Sequence, residues 1–262
     1  IYKQTLEAMK TDPAAYCRGL ADSPDVSAAT IDELIGNVDR AFDDITLTTD
    51  LQEAFGDTDL VIEAIAEIID EKDAFYSSIR DILPQQTILC TNSSTLLPSA
   101  MMGFTGREDR FLALHFANNI WKNNTAEVMG TPKTSEESYE AVVEFARAIG
   151  MIALELKKEQ PGYLLNSMLV PFLNSAEALL ANGVADVETI DAAWTLGTGA
   201  PLGPFRILDI VGLTTAYNIV AASPAAQDPD STAGRIAAVL KQHIDEGKTG
   251  INAGEGFYKY GK

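Results

Sequence analysis

The chain has 262 residues, 46% apolar, 22% charged and 8% aromatic, which is enough for one large or two ordinary domains with real cores and excludes a disordered or fibrous protein. Its 38 acidic and 19 basic side chains leave a net charge of −19, which argues against nucleic acid as a partner and requires locally placed cations or helix N-termini for any anionic ligand. Two cysteines, Cys17 and Cys90, make no disulfide framework and suit the cytoplasm; the opening IYKQTLEAMK does not read as a signal peptide, and no apolar run reaches the roughly 18 residues of a membrane span.

Residues 1–40 read as helical, with Ile31, Leu34 and Ile35 at helical spacing inside TIDELIGNVD. ITLTTD, residues 45–50, alternates like a short strand, and DLVIEAI, residues 59–65, is the β-branched apolar run of a strand buried on both faces. A polar helix over residues 68–82 precedes Pro84, after which TILCTN gives a buried strand ending in Asn92, Ser93, Ser94 and Thr95. FLALHFAN is the next strand, AEVM another, residues 135–149 a helix closed by Gly150, and MIALEL a last strand. Strands alternating with helices predict an α/β layer on a mostly parallel sheet.

Beyond Leu156 the strand signal stops. Pro161 suits the first turn of a long helix striped by Leu165, Met168, Leu169, Phe172, Ala176, Leu179 and Leu180. Asp186 caps a second helix running to about Leu196, stopped by Gly197 and Gly199; a third follows VGL, and a fourth covers residues 231–246. The expected organisation is an α/β domain over residues 1–158 followed by an all-α domain over residues 159–262.

In an open parallel sheet, functional groups gather beyond the carboxyl ends of the strands. Asn92 to Thr95 follow one such end, His115 and Asn118 another, and Glu67 a third. If AEVM folds back beside FLALHF, Glu127 comes alongside His115, where a carboxylate on one imidazole nitrogen leaves the other as a base. The same spacing also suits an ordinary polar residue at a strand end. Asn and Ser are common turn residues, Glu67, Asp70 and Glu71 suit a helix N-terminus, and Asn166 suits a solvated helix end. Nothing in this pattern calls for a metal.

The segments DLVIEAIAE, ILCTNSSTL, LHFANN, EVM, KEQPGYLLNSMLVPFLNSA, GAPLGPFRILDIVGL and GKTGINAGEGFYKY, in this order and spacing, resemble the 3-hydroxyacyl-CoA dehydrogenase family over about residues 44–260. The resemblance implies a Rossmann-type parallel-sheet domain, a helical C-terminal domain that makes a homodimer, and reversible NAD-dependent oxidation of an L-3-hydroxyacyl-CoA to the 3-ketoacyl-CoA. It implies that His115 and Glu127 are the catalytic pair and that Ser94 and Asn166 bind the substrate. It places Glu67, Lys72 and Asn118 near the cofactor, and Asn92 joins them by its strand-end position. Lys72 would also supply a local cation in this acidic chain.

Two departures accompany the resemblance. Asn119 stands where the family usually has proline, followed by a polar, Trp121-bearing loop that implies an altered acyl preference. The chain also shows no G-x-G-x-x-G after a strand: residues 197–203 have the wrong spacing and follow a helix, and GKT at Gly247 lacks the upstream glycine. The family's first strand, glycine turn, helix and second strand are therefore expected to precede Ile1, roughly 40 to 50 residues and more than one βαβ unit. The leading expectation is a short-chain enzyme acting on a substrate such as 3-hydroxybutyryl-CoA. The alternatives are a dehydrogenase of another small 3-hydroxy acid, carnitine-like in kind, and a truncated, inactive module that binds CoA or dimerises.

Overall fold

The structure is a computed structural model that describes residues 1–260. It divides into two compact units, Ile1–Leu164 and Leu165–Lys262.

The first unit contains α1 (Tyr2–Met9), α2 (Ala28–Asp44), α3 (Leu51–Phe55), β1 (Leu60–Glu63), α4 (Ile69–Ile79), β2 (Ile88–Thr91), α5 (Met102–Thr105), β3 (Phe111–Phe116), β4 (Thr125–Gly130), α6 (Glu136–Ala148) and β5 (Ile152–Leu156). The strands lie in the order β1-β2-β3-β4-β5. All neighbours run parallel except β3 and β4, which are antiparallel. The reason is the connection: residues 117–124 are too few for the crossover of a dozen or more residues that a parallel pair requires.

β3 is the sheet's centre. Phe111, Leu112, Ala113 and Leu114 are all fully buried, which explains its unbroken apolar run. Leu112 and Leu114 pack with Cys90, Val128 and Val142, while Phe111 packs with Val61, Tyr76, Ile79 and Leu89. Ser27 and Ser135 cap α2 and α6 by accepting from Thr30 N and Ser138 N, the capping chemistry their positions invite.

Several sequence expectations are corrected here. The opening is two helices separated by residues 10–27, where Pro13 and the bend around Cys17 interrupt the helical pattern. Residues 45–50 form no strand: Ile45 is 61% and Leu47 90% exposed, and alternation makes a strand only where a neighbour completes the ladder. β1 is buried on one face rather than on both: Val61 and the charged Glu63 are buried, while Ile62 on the other face is exposed.

The second unit consists of α7 (Leu165–Ala181), α8 (Val187–Thr198), α9 (Pro204–Val211), α10 (Leu213–Ala221) and α11 (Thr232–Asp245) around Phe205, Leu208, Leu213 and Leu240. α7 starts later than the sequence suggests, because residues 161–164 form a turn in which Gly162 and Tyr163 have φ of 77° and 53°. α8 runs through Gly197 and stops at Gly199, whose φ of 76° ends the helix. α9 is unanticipated. Its Gly/Pro-rich lead reads as loop, but Pro204 suits the first helical position and Asp191 accepts from Phe205 N at 2.8 Å, starting a fifth helix. Among the described residues no helix is long and apolar enough to cross a membrane.

Candidate active site

The register of β3 and β4 pairs His115 directly with Glu127. Their side chains meet on one face of the sheet: His115 Nδ1 lies 3.0 Å from Glu127 Oε2, and both residues are buried. His115 Nε2 lies 3.0 Å from Ser94 Oγ, beyond the carboxyl end of β2. A carboxylate can only accept, so Nδ1 carries a proton, and in the neutral imidazole Nε2 is then the lone-pair nitrogen, to which the Ser94 hydroxyl donates. The result is a chain from Glu127 through imidazole to hydroxyl, with the basic nitrogen turned towards the strand ends.

The second carboxylate oxygen is also held. Leu164 N donates to Glu127 Oε1 at 2.8 Å, while Tyr163 lays its ring parallel to the imidazole, with centroids 4.4 Å apart and planes at 15°. Tyr163 OH donates to Ser93 O at 2.7 Å. Burial, and then the carboxylates of Glu127, Glu67 and Glu159, push this phenol up, so it remains a donor. A bulky residue in the left-handed region costs on the order of 1–3 kcal/mol and persists where its surroundings fix it. Sequence reasoning missed Tyr163, since an aromatic in PGYLLN reads as helix stripe.

Glu67 joins the same crevice. Its carboxylate accepts from Ser94 N at 2.6 Å and Ser93 Oγ at 2.7 Å, tying the end of β1 to the turn after β2. Asn92 accepts at its side-chain oxygen from Phe116 N at 3.0 Å, leaving an amide NH2 as its donor end. Asn118 is exposed, and its carbonyl accepts from Asn123 Nδ2 at 2.9 Å. Asn166 is the second residue of α7, in the helical unit.

Lys72 is different. It is fully buried and donates to Glu63 Oε1 at 2.6 Å, with Glu67 at 3.9 Å. Glu63 also accepts from Ile65 N, Tyr76 OH and Thr91 Oγ1. Burial alone would raise the Glu63 carboxyl, but Lys72, Tyr76, the Ile65 N–H and Thr91 together hold it below the usual carboxylate range. The cation expected to serve an anionic ligand is therefore spent on β1. Glu63 went unnoticed as a site, although a charge inside an apolar strand run was a visible signal.

The loop at residues 117–124 takes its own path. Asn119 has a φ of 58°, which asparagine tolerates and the ring of a proline forbids. Trp121 packs edge-on to Tyr2 at 5.6 Å and joins the cluster of Leu6, Met9, Cys17 and Ile31, while its carbonyl accepts from Gly19 N at 2.9 Å. A Cβ at Gly19 would stand 2.3 Å from Ile120 O, so only glycine allows this approach. The indole thus anchors the loop to the α1–α2 pair.

Residues 13–160 match the family described as 3-hydroxyacyl-CoA dehydrogenase, NAD binding domain, and residues 162–260 match its C-terminal domain. The chain is 36% identical over 223 residues to the Homo sapiens hydroxyacyl-coenzyme A dehydrogenase, mitochondrial, covering 85% of this chain and 70% of that protein. A solved diketoreductase, reported for dual catalysis of dicarbonyl compounds, shares 50% identity at a TM-score of 0.79, covering 98% of this chain and 85% of that one. The (S)-3-hydroxybutyryl-CoA dehydrogenase of Ralstonia eutropha shares 29% at a TM-score of 0.75, over 90% and 84% of the two chains. With both parts matched in order over nearly its whole length, the chain belongs to the 3-hydroxyacyl-CoA dehydrogenase family of NAD-dependent oxidoreductases.

Proposed function

We propose that the protein interconverts a short 3-hydroxyacyl-CoA, such as 3-hydroxybutyryl-CoA, and its 3-ketoacyl form, with His115 moving the proton. The observation that carries this reading is the unbroken Glu127–His115–Ser94 chain, with 3.0 Å at each link. NAD supplies the hydride acceptor. In oxidation, His115 Nε2 takes the proton of the C3 hydroxyl while Glu127 steadies the imidazolium; in reduction, the imidazolium returns that proton to the new alkoxide. Ser94 Oγ, already directed at Nε2, hydrogen-bonds the same substrate oxygen.

The donor set at the strand ends fits the nicotinamide end of NAD. Glu67 offers a carboxylate to ribose hydroxyls, and Asn92 and Asn118 offer amides of the kind that recognise a carboxamide. Lys72 acts here by holding Glu63 and so fixing the end of β1. A homodimer through the helical unit belongs to the same reading, since α7 and α8 leave Met168 and Leu196 exposed. The free, buried thiols of Cys17 and Cys90 fit a reducing compartment, the cytoplasm.

A second reading concerns the substrate alone. The 50% identity to a diketoreductase favours a small free dicarbonyl, or the matching hydroxy acid or ester, in place of the thioester. Both substrates present a carbonyl two carbons from the reacting one, so the same proton chain serves either. The test is NADH oxidation with acetoacetyl-CoA beside a free dicarbonyl, an acetoacetate ester, in the parent and in His115→Gln. A higher kcat/KM for the thioester supports the first reading and a higher value for the ester the second; in either case His115→Gln is expected to lose about 100-fold or more. Parental turnover in His115→Gln would sink the proton-transfer role.

A further inference from the structure

Residues 161–164 touch two members of the proton chain, His115 and Glu127, and the neighbour of the third, Ser93, without contributing a group to the chemistry. The Tyr163 ring covers one face of the His115 imidazole, its hydroxyl holds the carbonyl of Ser93 next to Ser94, and the following N–H, that of Leu164, holds Glu127. A face-on contact has a particular consequence for an imidazole. It restrains the ring against tilting and rotation while leaving the edge, which carries both nitrogens, open to Glu127 on one side and Ser94 on the other. A contact at the edge would block the chemistry, and no contact would leave the ring to swing out of line. An aromatic face also favours the cation that His115 becomes.

The backbone supports the same conclusion. Gly162 and Tyr163 are both left-handed, and Tyr163 is 1% exposed. Moving Tyr163 to an extended conformation would redirect its side chain away from the imidazole and carry Leu164 N away from Glu127. The unusual dihedral is what allows one short turn to reach His115 through its side chain and Glu127 through the next amide.

We propose that Tyr163 is a positioning residue, which aligns the imidazole of His115 by stacking while its turn fixes Glu127. The proposal rests on the reading of His115 as the proton carrier. Two variants separate ring from backbone: Tyr163→Asn removes the ring but tolerates the left-handed φ, and Tyr163→Phe keeps the ring and removes the hydroxyl.

The readouts are kcat and KM for NADH-linked reduction, and the low-field Nδ1–H proton resonance of His115, assigned by its loss in His115→Gln. Tyr163→Asn is expected to lower kcat about ten- to hundred-fold, with KM within about threefold, and to broaden or remove the resonance. Tyr163→Phe is expected to keep the resonance and stay within about threefold of parental kcat. Parental kcat and resonance in Tyr163→Asn overturn the proposal, as do equal losses in both variants, which would assign the effect to the hydroxyl. Should Tyr163→Asn fail to fold, nuclear Overhauser contacts between the Tyr163 and His115 rings in the unmutated protein decide: their absence overturns the proposal and their presence supports it. If His115→Gln keeps full activity, the proton-carrier reading falls, while the resonance and the ring contacts still report whether Tyr163 orients the imidazole.

Discussion

Among the partners of Glu127 are the Nδ1–H of His115 on one oxygen and the backbone N–H of Leu164 on the other. A glutamine at this position has one oxygen and one NH2 group. If the oxygen stays with Leu164 N, the NH2 faces Nδ1 and drives the ring into the tautomer with its proton on Nε2, the wrong nitrogen for a base. Glu127→Gln is therefore expected to fold normally and to lose about 10²- to 10⁴-fold in kcat, with little change in KM, as steady-state kinetics would register. An unchanged kcat would show that the carboxylate only holds the turn. Ser94→Ala removes only neutral hydrogen bonds, to Nε2 and to the substrate oxygen, so its expected effect on kcat/KM is smaller, about tenfold.

At the scale of the element, β1 and α4 are held together by a buried ion pair rather than by apolar packing alone. Removing Lys72 leaves the Glu63 carboxylate buried with only neutral donors, so Lys72→Met is expected to cost about 3–5 kcal/mol in urea denaturation. Lys72→Met with Glu63→Gln removes both charges and is expected to lose less than Lys72→Met alone. Greater loss in the double variant would mean that the pair is not the source of the effect. This pair also marks where the sequence stopped being legible. That β3 and β4 are antiparallel, and with it the approach of Glu127 to His115, follows from the short loop between two strand-like runs, which can be read from letters. The acceptor of the Lys72 ammonium cannot, because it lies nine positions earlier on a strand whose burial depends on what packs against it. Tyr163 was hidden for a related reason: an aromatic that stacks on a remote imidazole carries no periodic signature. In the helical unit the GAPLGPF segment misled because proline and glycine mark a loop and a helix start alike, and only the Asp191 contact to Phe205 N distinguishes them.

Across the molecule, two effects make stability fall as pH rises through the carboxylate range, and they can be separated. The first is self-repulsion in a chain of net charge −19, which grows as surface carboxyls ionise and shrinks in salt. The second is local. Glu177 on α7 is 4% exposed, set among Leu180, Phe205, Ile236, Val239, Leu240 and Phe257, and its Oε1 has no hydrogen-bond partner among the described residues. Burial pushes its carboxyl up to about 7 from an ordinary value of 4.5. The folded state thus favours the proton: the contribution of Glu177 is intact below pH 4.5, declines as pH rises, and is fully lost above about 7. The difference amounts to about 3 kcal/mol. Glu177→Met, similar in volume and without charge, is expected to match the parent near pH 4.5 and to exceed it by up to that amount at pH 8 in urea denaturation. The gain should survive 0.5 M salt, because a buried carboxylate is poorly screened whereas surface repulsion is not. A gain that vanishes in salt would assign the pH dependence to the surface charge instead.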